Sequence, residues 1–131
     1  MSAAPASGRA PASDRTRASS RTFVTGGGGF AGRWLLELLR GAEAPSRREL
    51  DLLDLDAVRA ALHELEPGAV FHLAALASVG RSWEEPAETI SQNVAMTANL
   101  LEAVRLEVPG ATVVLAGSGE VYGPPERLPV D

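Results

Sequence analysis

Thr22-Phe23-Val24-Thr25-Gly26-Gly27-Gly28-Gly29-Phe30-Ala31-Gly32-Arg33-Trp34-Leu35-Leu36-Glu37-Leu38-Leu39-Arg40 is the stretch on which the fold turns. Thr22 to Val24 is a short strand-like run, Thr25 to Gly32 is a glycine-rich loop, and Arg33 to Arg40 is helical in pattern. The helical stretch places Trp34, Leu35, Leu38 and Leu39 on one face, and Gly41 can end it.

The order strand, glycine loop, helix gives those glycines a meaning beyond flexibility. A helix start presents unpaired backbone N–H groups and a partial positive charge, and a loop without Cβ atoms lets a diphosphate come close to them. Gly26, Gly29 and Gly32 fall at the spacing G-x-x-G-x-x-G. In that pattern the first makes the tight turn, the second allows the close approach, and the third lets the helix pack on the strand. A flexible glycine linker would not need this context.

Outward from the loop the chain alternates. Asp54 can cap a helix in which Val58, Ala61, Leu62 and Leu65 repeat at helical spacing, and Pro67-Gly68 stops it. Ala69 to Ala74 is an apolar run of buried-strand length, and the polar residues between Ser78 and Pro86 are expected to form a loop. Val94, Leu100, Leu101 and Val104 mark a long helix that ends near Pro109-Gly110, with Asn93 opening it, and Ala111 to Ala116 is another buried strand. Strands alternating with helices predict an α/β fold, a Rossmann-like parallel sheet with helices on both faces.

The chain has 131 residues, with 12 Arg, no Lys, 17 acidic residues and no Cys, for a net charge of -5. That suffices for one domain. No run approaches the roughly 18 apolar residues of a membrane helix, so no membrane partner is expected. Without Cys there is no disulfide or thiolate metal site, which suits a reducing compartment, and we expect the cytoplasm. Without Lys there is no Schiff base, Walker lysine or Tyr/Lys pair within these residues. Residues 1–20 are Ala-, Ser-, Pro- and Arg-rich, with no aliphatic side chain larger than Ala after Met1, and are expected to be a disordered tail. Their composition also fits a transit peptide, although Pro5 and Pro11 oppose an amphipathic helix. Beyond Thr22 the chain holds 8 Arg against 16 acids, a balance that argues against nucleic acid as a partner.

Five ordered signatures carry a family resemblance. Thr25-Gly26-x-x-Gly29-Phe30-x-Gly32, Asp51-Leu52-Leu53-Asp54, His72-Leu73-Ala74-Ala75, Asn93-Val94 and Ser118-x-Glu120-Val121-Tyr122-Gly123 resemble those of the extended short-chain dehydrogenase/reductases. More narrowly they resemble the NAD-dependent epimerase/dehydratase branch that modifies nucleotide sugars. The resemblance spans residues 21–131, as a partial NAD(P)-binding domain.

It implies that Gly26, Gly29, Phe30, Ala31 and Gly32 form the pyrophosphate loop of an NAD or NADP site. Asp51 and the Leu52 backbone would hold the adenine, and Leu73, Ala74 and Ala75 would line the cofactor where the family's fourth strand ends. Asn93 would help arrange the site; a helix cap is the competing reading. Ser118 would polarise the reacting sugar oxygen and Glu120 would act as acid or base on a neighbouring carbon. Taken alone, these two are an ordinary turn serine and loop acid. His72 reads as a packed strand residue, His63 as exposed, and two His without Cys make no metal site. Arg81 to Pro86 with Gly117 to Glu120 look closest to GDP-mannose 4,6-dehydratases and the reductases of their 4-keto-6-deoxy products. The family often dimerises through helices, which implies a homodimer.

Two departures stand out. Tyr122 belongs to the Val-Tyr-Gly turn, and Glu126 stands four residues on, where the family's Tyr-x-x-x-Lys would need Lys, so the sequence reads as truncated before its catalytic pair. Residues 41–50 contain no strand-length apolar run, so the second strand is shortened or missing. There Arg47 and Arg48 could contact a 2′-phosphate and Glu49 a 2′-hydroxyl, or all three could be a solvated loop. Two functions follow: the cofactor-binding part of a nucleotide-sugar epimerase, dehydratase or reductase, or a non-catalytic dinucleotide-binding or interaction fragment.

Overall fold

The computed structural model describes residues 21–118 and 123–124; the expected tail at 1–20, Glu120 and Tyr122 lie outside them. The elements run β1 (Thr22–Thr25), α1 (Phe30–Leu38), α2 (Leu55–Leu65), β2 (Ala69–His72), α3 (Val79–Glu84), α4 (Pro86–Glu107) and β3 (Thr112–Leu115). The strands form one parallel sheet in the order β1-β2-β3, with Phe23 beside Val70 and Val70 beside Val113. The α/β alternation of the sequence is therefore the observed architecture.

The shortened second strand is also present as expected. It survives as a single parallel bridge between Phe23 and Glu43, held by Val24 N–H to the Glu43 carbonyl at 2.8 Å and Glu43 N–H to the Thr22 carbonyl at 2.8 Å. The connection leaves β1 on one side, touches this bridge, then crosses back through α2 to β2 on the other. Right-handed crossovers in opposite directions place α1 and α2 on opposite faces of the sheet.

Alternation along β1 and β2 points Phe23, Thr25, Val70 and His72 to one face and Val24 and Phe71 to the other. On the first face the core joins Phe23 and Val70 to Val58 and Leu62 of α2, Leu100, Ala103 and Val104 of α4, and Leu50 and Leu52 of the preceding loop. Arg59 of α2 and Glu107 of α4 close its rim, Nε donating to Oε1 at 2.8 Å. His63, exposed as expected, adds a 3.2 Å contact to Glu107 Oε2, and the Arg59 hydrogen bond holds that carboxyl below its ordinary range.

β3, expected to be a buried strand, is largely exposed, Val114 by 44 % and Leu115 by 45 %, and three further local expectations are corrected. First, α1 starts at Phe30, three residues earlier than its apolar pattern suggested, because Gly32 seats against the loop and sets the helix's inward face. Leu35, Leu36 and Leu39 share that side, whereas Trp34 and Leu38 turn outward and are 61 % and 81 % exposed. Second, the expected loop at Ser78 to Pro86 contains a short helix, whose start Ser78 caps by accepting from Arg81 N–H. Third, Asn93 does not open the long helix: α4 begins at Pro86, a residue whose fixed φ and missing N–H suit a first helical position. Asp54 caps α2 as expected, its Oδ1 accepting from Ala57 N–H at 3.1 Å. Among the described residues no helix is long and apolar enough to cross a membrane.

Candidate functional site

The site is built at the carboxyl ends of β1 and β2, where a parallel sheet opens toward ligands. After Thr25 the chain turns at Gly26, whose φ of +77° falls in the left-handed region that glycine enters without strain. Gly29 N–H closes the turn on the Gly26 carbonyl at 3.0 Å. Gly29 then starts α1 in extended backbone with no side-chain cap. The N–H groups of Phe30, Ala31 and Gly32 have no partner among the described residues and stand at the positive end of the helix dipole.

Two of the glycines are required by packing. A Cβ on Gly26 would lie 2.6 Å from Ala74 N and 2.7 Å from the Leu73 carbonyl carbon. A Cβ on Gly32 would meet the Gly26 carbonyl oxygen and stand 2.6 Å from Gly27 Cα. Both obstacles are backbone. Gly28, by contrast, faces open space.

Next to the loop lies a cleft of about 260 Å³, lined by Gly26 and Gly29 at one part, Pro45 and Arg47 along a side, Leu50 to Leu53 at another, and Leu73 to Leu76 with Met96 opposite. Of the residues singled out in the sequence, Gly26, Gly29, Asp51, Leu52, Leu73, Ala74 and Ala75 are brought together here. Phe30, Ala31 and Gly32 stand beside it on the first turn of α1. Asp51 combines both readings given to it: it lines the cleft, and its Oδ1 accepts from Leu53 N–H at 3.0 Å in a local turn. Ser118 is exposed, three residues past β3 at the same sheet edge, and outside the cleft lining.

Polar side chains of α4, on either flank of its buried stripe, hold the walls in place. Asn93 Oδ1 accepts from Leu76 N–H at 2.7 Å and its Nδ2 donates to the Leu76 carbonyl at 3.2 Å. Asn99 Nδ2 donates to the carbonyls of Leu52 and Leu53, both at 3.0 Å. Thr97 Oγ1 is 3.1 Å from His72 Nε2, and His72 Nδ1 is 2.6 Å from Thr25 Oγ1. Thr25 Oγ1 also accepts from Ala74 N–H, and the Thr25 carbonyl from Leu73 N–H at 3.0 Å. His72 is buried as expected, and burial lowers its pKa. The bracing roles of Thr25, Thr97 and Asn99 carry no clear sequence signal: Thr25 is the last residue of β1, and Thr97 and Asn99 are polar side chains beside the apolar positions of α4.

Asn93 thus acts on the site through Leu76. Its replacement by Ala leaves two partly buried backbone groups without their partner, and about 1 kcal/mol of stability should be lost. Urea unfolding of Asn93→Ala beside wild type measures this, and unchanged stability would refute the clamp.

A glycine loop, an uncapped helix start and a cleft at the sheet's carboxyl edge define a dinucleotide-binding fold of the Rossmann class. The model of the NAD dependent epimerase/dehydratase family matches residues 22–131, and the chain belongs to that family. It is 37 % identical over 106 residues to a GDP-6-deoxy-D-mannose reductase of Pseudomonas aeruginosa, covering 77 % of this chain and 34 % of the relative. Among solved structures it is similar to a UDP-glucose 4-epimerase from Brucella ovis in complex with NAD, with a TM-score of 0.72 and 31 % identity over 86 % of this chain and 40 % of that one. It is also similar to a GDP-mannoheptose C4 reductase from Campylobacter jejuni with NADP bound, with a TM-score of 0.73 and 26 % identity over 88 % and 38 % of the two chains. The chain spans 30 to 42 % of the length of the first curated relatives it matches.

Proposed function

We propose that this chain is the NAD(P)-binding part of a nucleotide-sugar epimerase, dehydratase or reductase. The observation that carries the reading is the pair Gly26 and Gly32, where backbone fills the place of a Cβ so that the free amides at the start of α1 stand beside the cleft. The residues present fit a nicotinamide dinucleotide. The amides of Phe30, Ala31 and Gly32 would hold the pyrophosphate, and the second Asp51 oxygen would accept a hydrogen bond from the adenine amino group. Leu52, Leu53 and Leu73 to Ala75 would shield the adenosine half from water. The bound cofactor supplies a hydride acceptor or donor. Ser118 would donate to the sugar oxygen at the reacting carbon, and Glu120 would serve as acid or base beside it.

The substrate class is proposed from the family and from likeness to the Pseudomonas reductase. The narrower resemblance of Arg81 to Pro86 and Gly117 to Glu120 favours GDP-linked 4-keto-6-deoxy sugars and their precursors. Dimerisation is proposed from the family resemblance and a cytoplasmic location from the composition of the sequence. A second reading is dinucleotide binding without turnover, which the same glycine loop and cleft would serve.

Isothermal titration calorimetry of the chain with NAD and with NADP should give a saturable site for at least one of them. Flat titrations with both would sink the cofactor reading. Binding without any hydride transfer to or from added nucleotide sugars is the outcome that the second reading expects.

A further inference from the structure

We propose that the cleft prefers the 2′-phosphorylated cofactor, NADP, over NAD, and that Arg47 selects it. This rests on the cofactor reading above and deepens it. The second strand is reduced to the bridge at Glu43, and from there the chain continues alongside β1. Ala44 passes so close to the glycine loop that a Cβ on Gly27 would stand 2.9 Å from its own Cβ. Pro45 and Arg47 then line the cleft, and the chain goes on to Leu50, Asp51, Leu52 and Leu53 on the same cleft. The segment that carries Arg47 therefore links the part that receives a pyrophosphate to the part that receives an adenine. The ribose of an adenosine diphosphate lies between those two groups, and its 2′ position is where NADP carries its extra phosphate.

Charge decides which cofactor suits that wall. Among the described residues, Arg47 and Asp51 are the charged groups that line the cleft, and Asp51 already gives one oxygen to Leu53 N–H. The nearby acids able to accept from a 2′-hydroxyl face elsewhere. Glu43 and Glu49 line a separate hollow with Arg21, Phe23 and Ala57, and Glu49 Oε2 is taken by Ser46 N–H at 2.7 Å. Arg47 makes no ion pair or hydrogen bond with any described residue. A guanidinium without a carboxylate partner matches a phosphate monoester with two parallel N–H groups. Arg48, its neighbour, does not line the cleft and serves as an internal control.

The test is calorimetry of the full chain with NADP, NAD, adenosine 2′,5′-bisphosphate and 5′-AMP. Wild type should bind NADP about tenfold tighter than NAD, as a charge-assisted hydrogen-bonded pair implies, with the gap shrinking in high salt. The bisphosphate should exceed 5′-AMP in the same direction. Arg47→Ala should remove the preference by weakening NADP about tenfold while leaving NAD near its wild-type affinity, and Arg48→Ala should retain it. Equal affinities, tighter NAD, or an Arg47→Ala variant that weakens both cofactors alike would overturn the assignment while leaving the cofactor reading intact. Binding of none of the four compounds would overturn both.

Discussion

Gly32→Ala should lower the stability of the chain by about 2 kcal/mol and abolish saturable dinucleotide binding. The new methyl would meet the Gly26 carbonyl oxygen, Gly27 Cα at 2.6 Å and the Gly27 oxygen at 2.7 Å. No side chain is available to move aside, so α1 must lift from the loop or the loop must open. Overpacking of this kind costs about 1–3 kcal/mol. The greater helix propensity of Ala returns at most about 1 kcal/mol, so the clash wins. For a domain of this size the melting temperature should fall by about 10 °C. Lifting α1 also withdraws its free amides from the cleft, which is why binding should fail together with packing. Gly28→Ala separates this from any general dislike of side chains in the loop. Nothing lies within 4 Å of that position, and its stability should stay within about 0.5 kcal/mol of wild type. A Gly32→Ala protein that melts and binds like wild type would refute the packing role given to the third glycine.

Why the glycine loop and several cleft-lining residues are legible in the sequence, while the braces behind the cleft walls are not, comes down to the range of the forces involved. Gly26, Gly29 and Gly32 answer to local geometry, a tight turn and a helix start a few residues apart, so spacing alone announces them. The capping of α2 by Asp54 is local in the same way. The start of α4 was misplaced because Val94, Leu100, Leu101 and Val104 recorded only the apolar repeat. Its first turns, from Pro86 to Gln92, rest on the proline and on Glu88, whose Oε1 accepts from Gln92 Nε2 at 2.6 Å. Once the helix is extended, Asn93 stops being a cap and becomes a brace on Leu76, seventeen residues away. Trp34 and Leu38 fall on one helical face with Leu35 and Leu39 in the sequence, a stripe that pattern alone would turn toward a core. Backbone contact at Gly32 instead set the helix's rotation and left both facing out, 61 % and 81 % exposed. Arg47 was noticed in the sequence, but its place on the cleft depends on a one-residue bridge, which no run of residue types could signal.

His72→Leu should cost about 2 kcal/mol at neutral pH, and the cost should shrink in mild acid. In the wild type the imidazole is buried between two hydroxyls, Thr25 Oγ1 at 2.6 Å and Thr97 Oγ1 at 3.1 Å. Thr25 Oγ1 accepts from Ala74 N–H, so its own proton is free to be donated to Nδ1. Nε2 then carries the ring hydrogen and donates to Thr97, an assignment inferred from the network. That arrangement satisfies a neutral ring. A second proton, on Nδ1, would face Thr25 Oγ1 and force the hydroxyl hydrogen away, and burial already lowers the pKa of this histidine. Leucine fills similar space but removes both hydrogen bonds, each worth about 1 kcal/mol. Thr97 can recover part of its share by bonding back to its own helix. The pH dependence has a definite sign. Because the folded pKa lies below the ordinary imidazole value of about 6.5, the unfolded chain takes up the proton first. The contribution of His72 is therefore complete above about pH 6.5 and is lost as pH falls toward the folded value, by at most about 1.4 kcal/mol per pH unit. Glu49, Glu102 and Glu107, whose pKa values are all lowered, lose their contributions only below the ordinary carboxylate range. Urea unfolding from pH 7.5 down to about pH 5.5 should thus show the wild-type curve falling toward that of His72→Leu. Two parallel curves would mean that the imidazole titrates alike in the folded and unfolded chains, and that the hydroxyl pair does not hold it neutral.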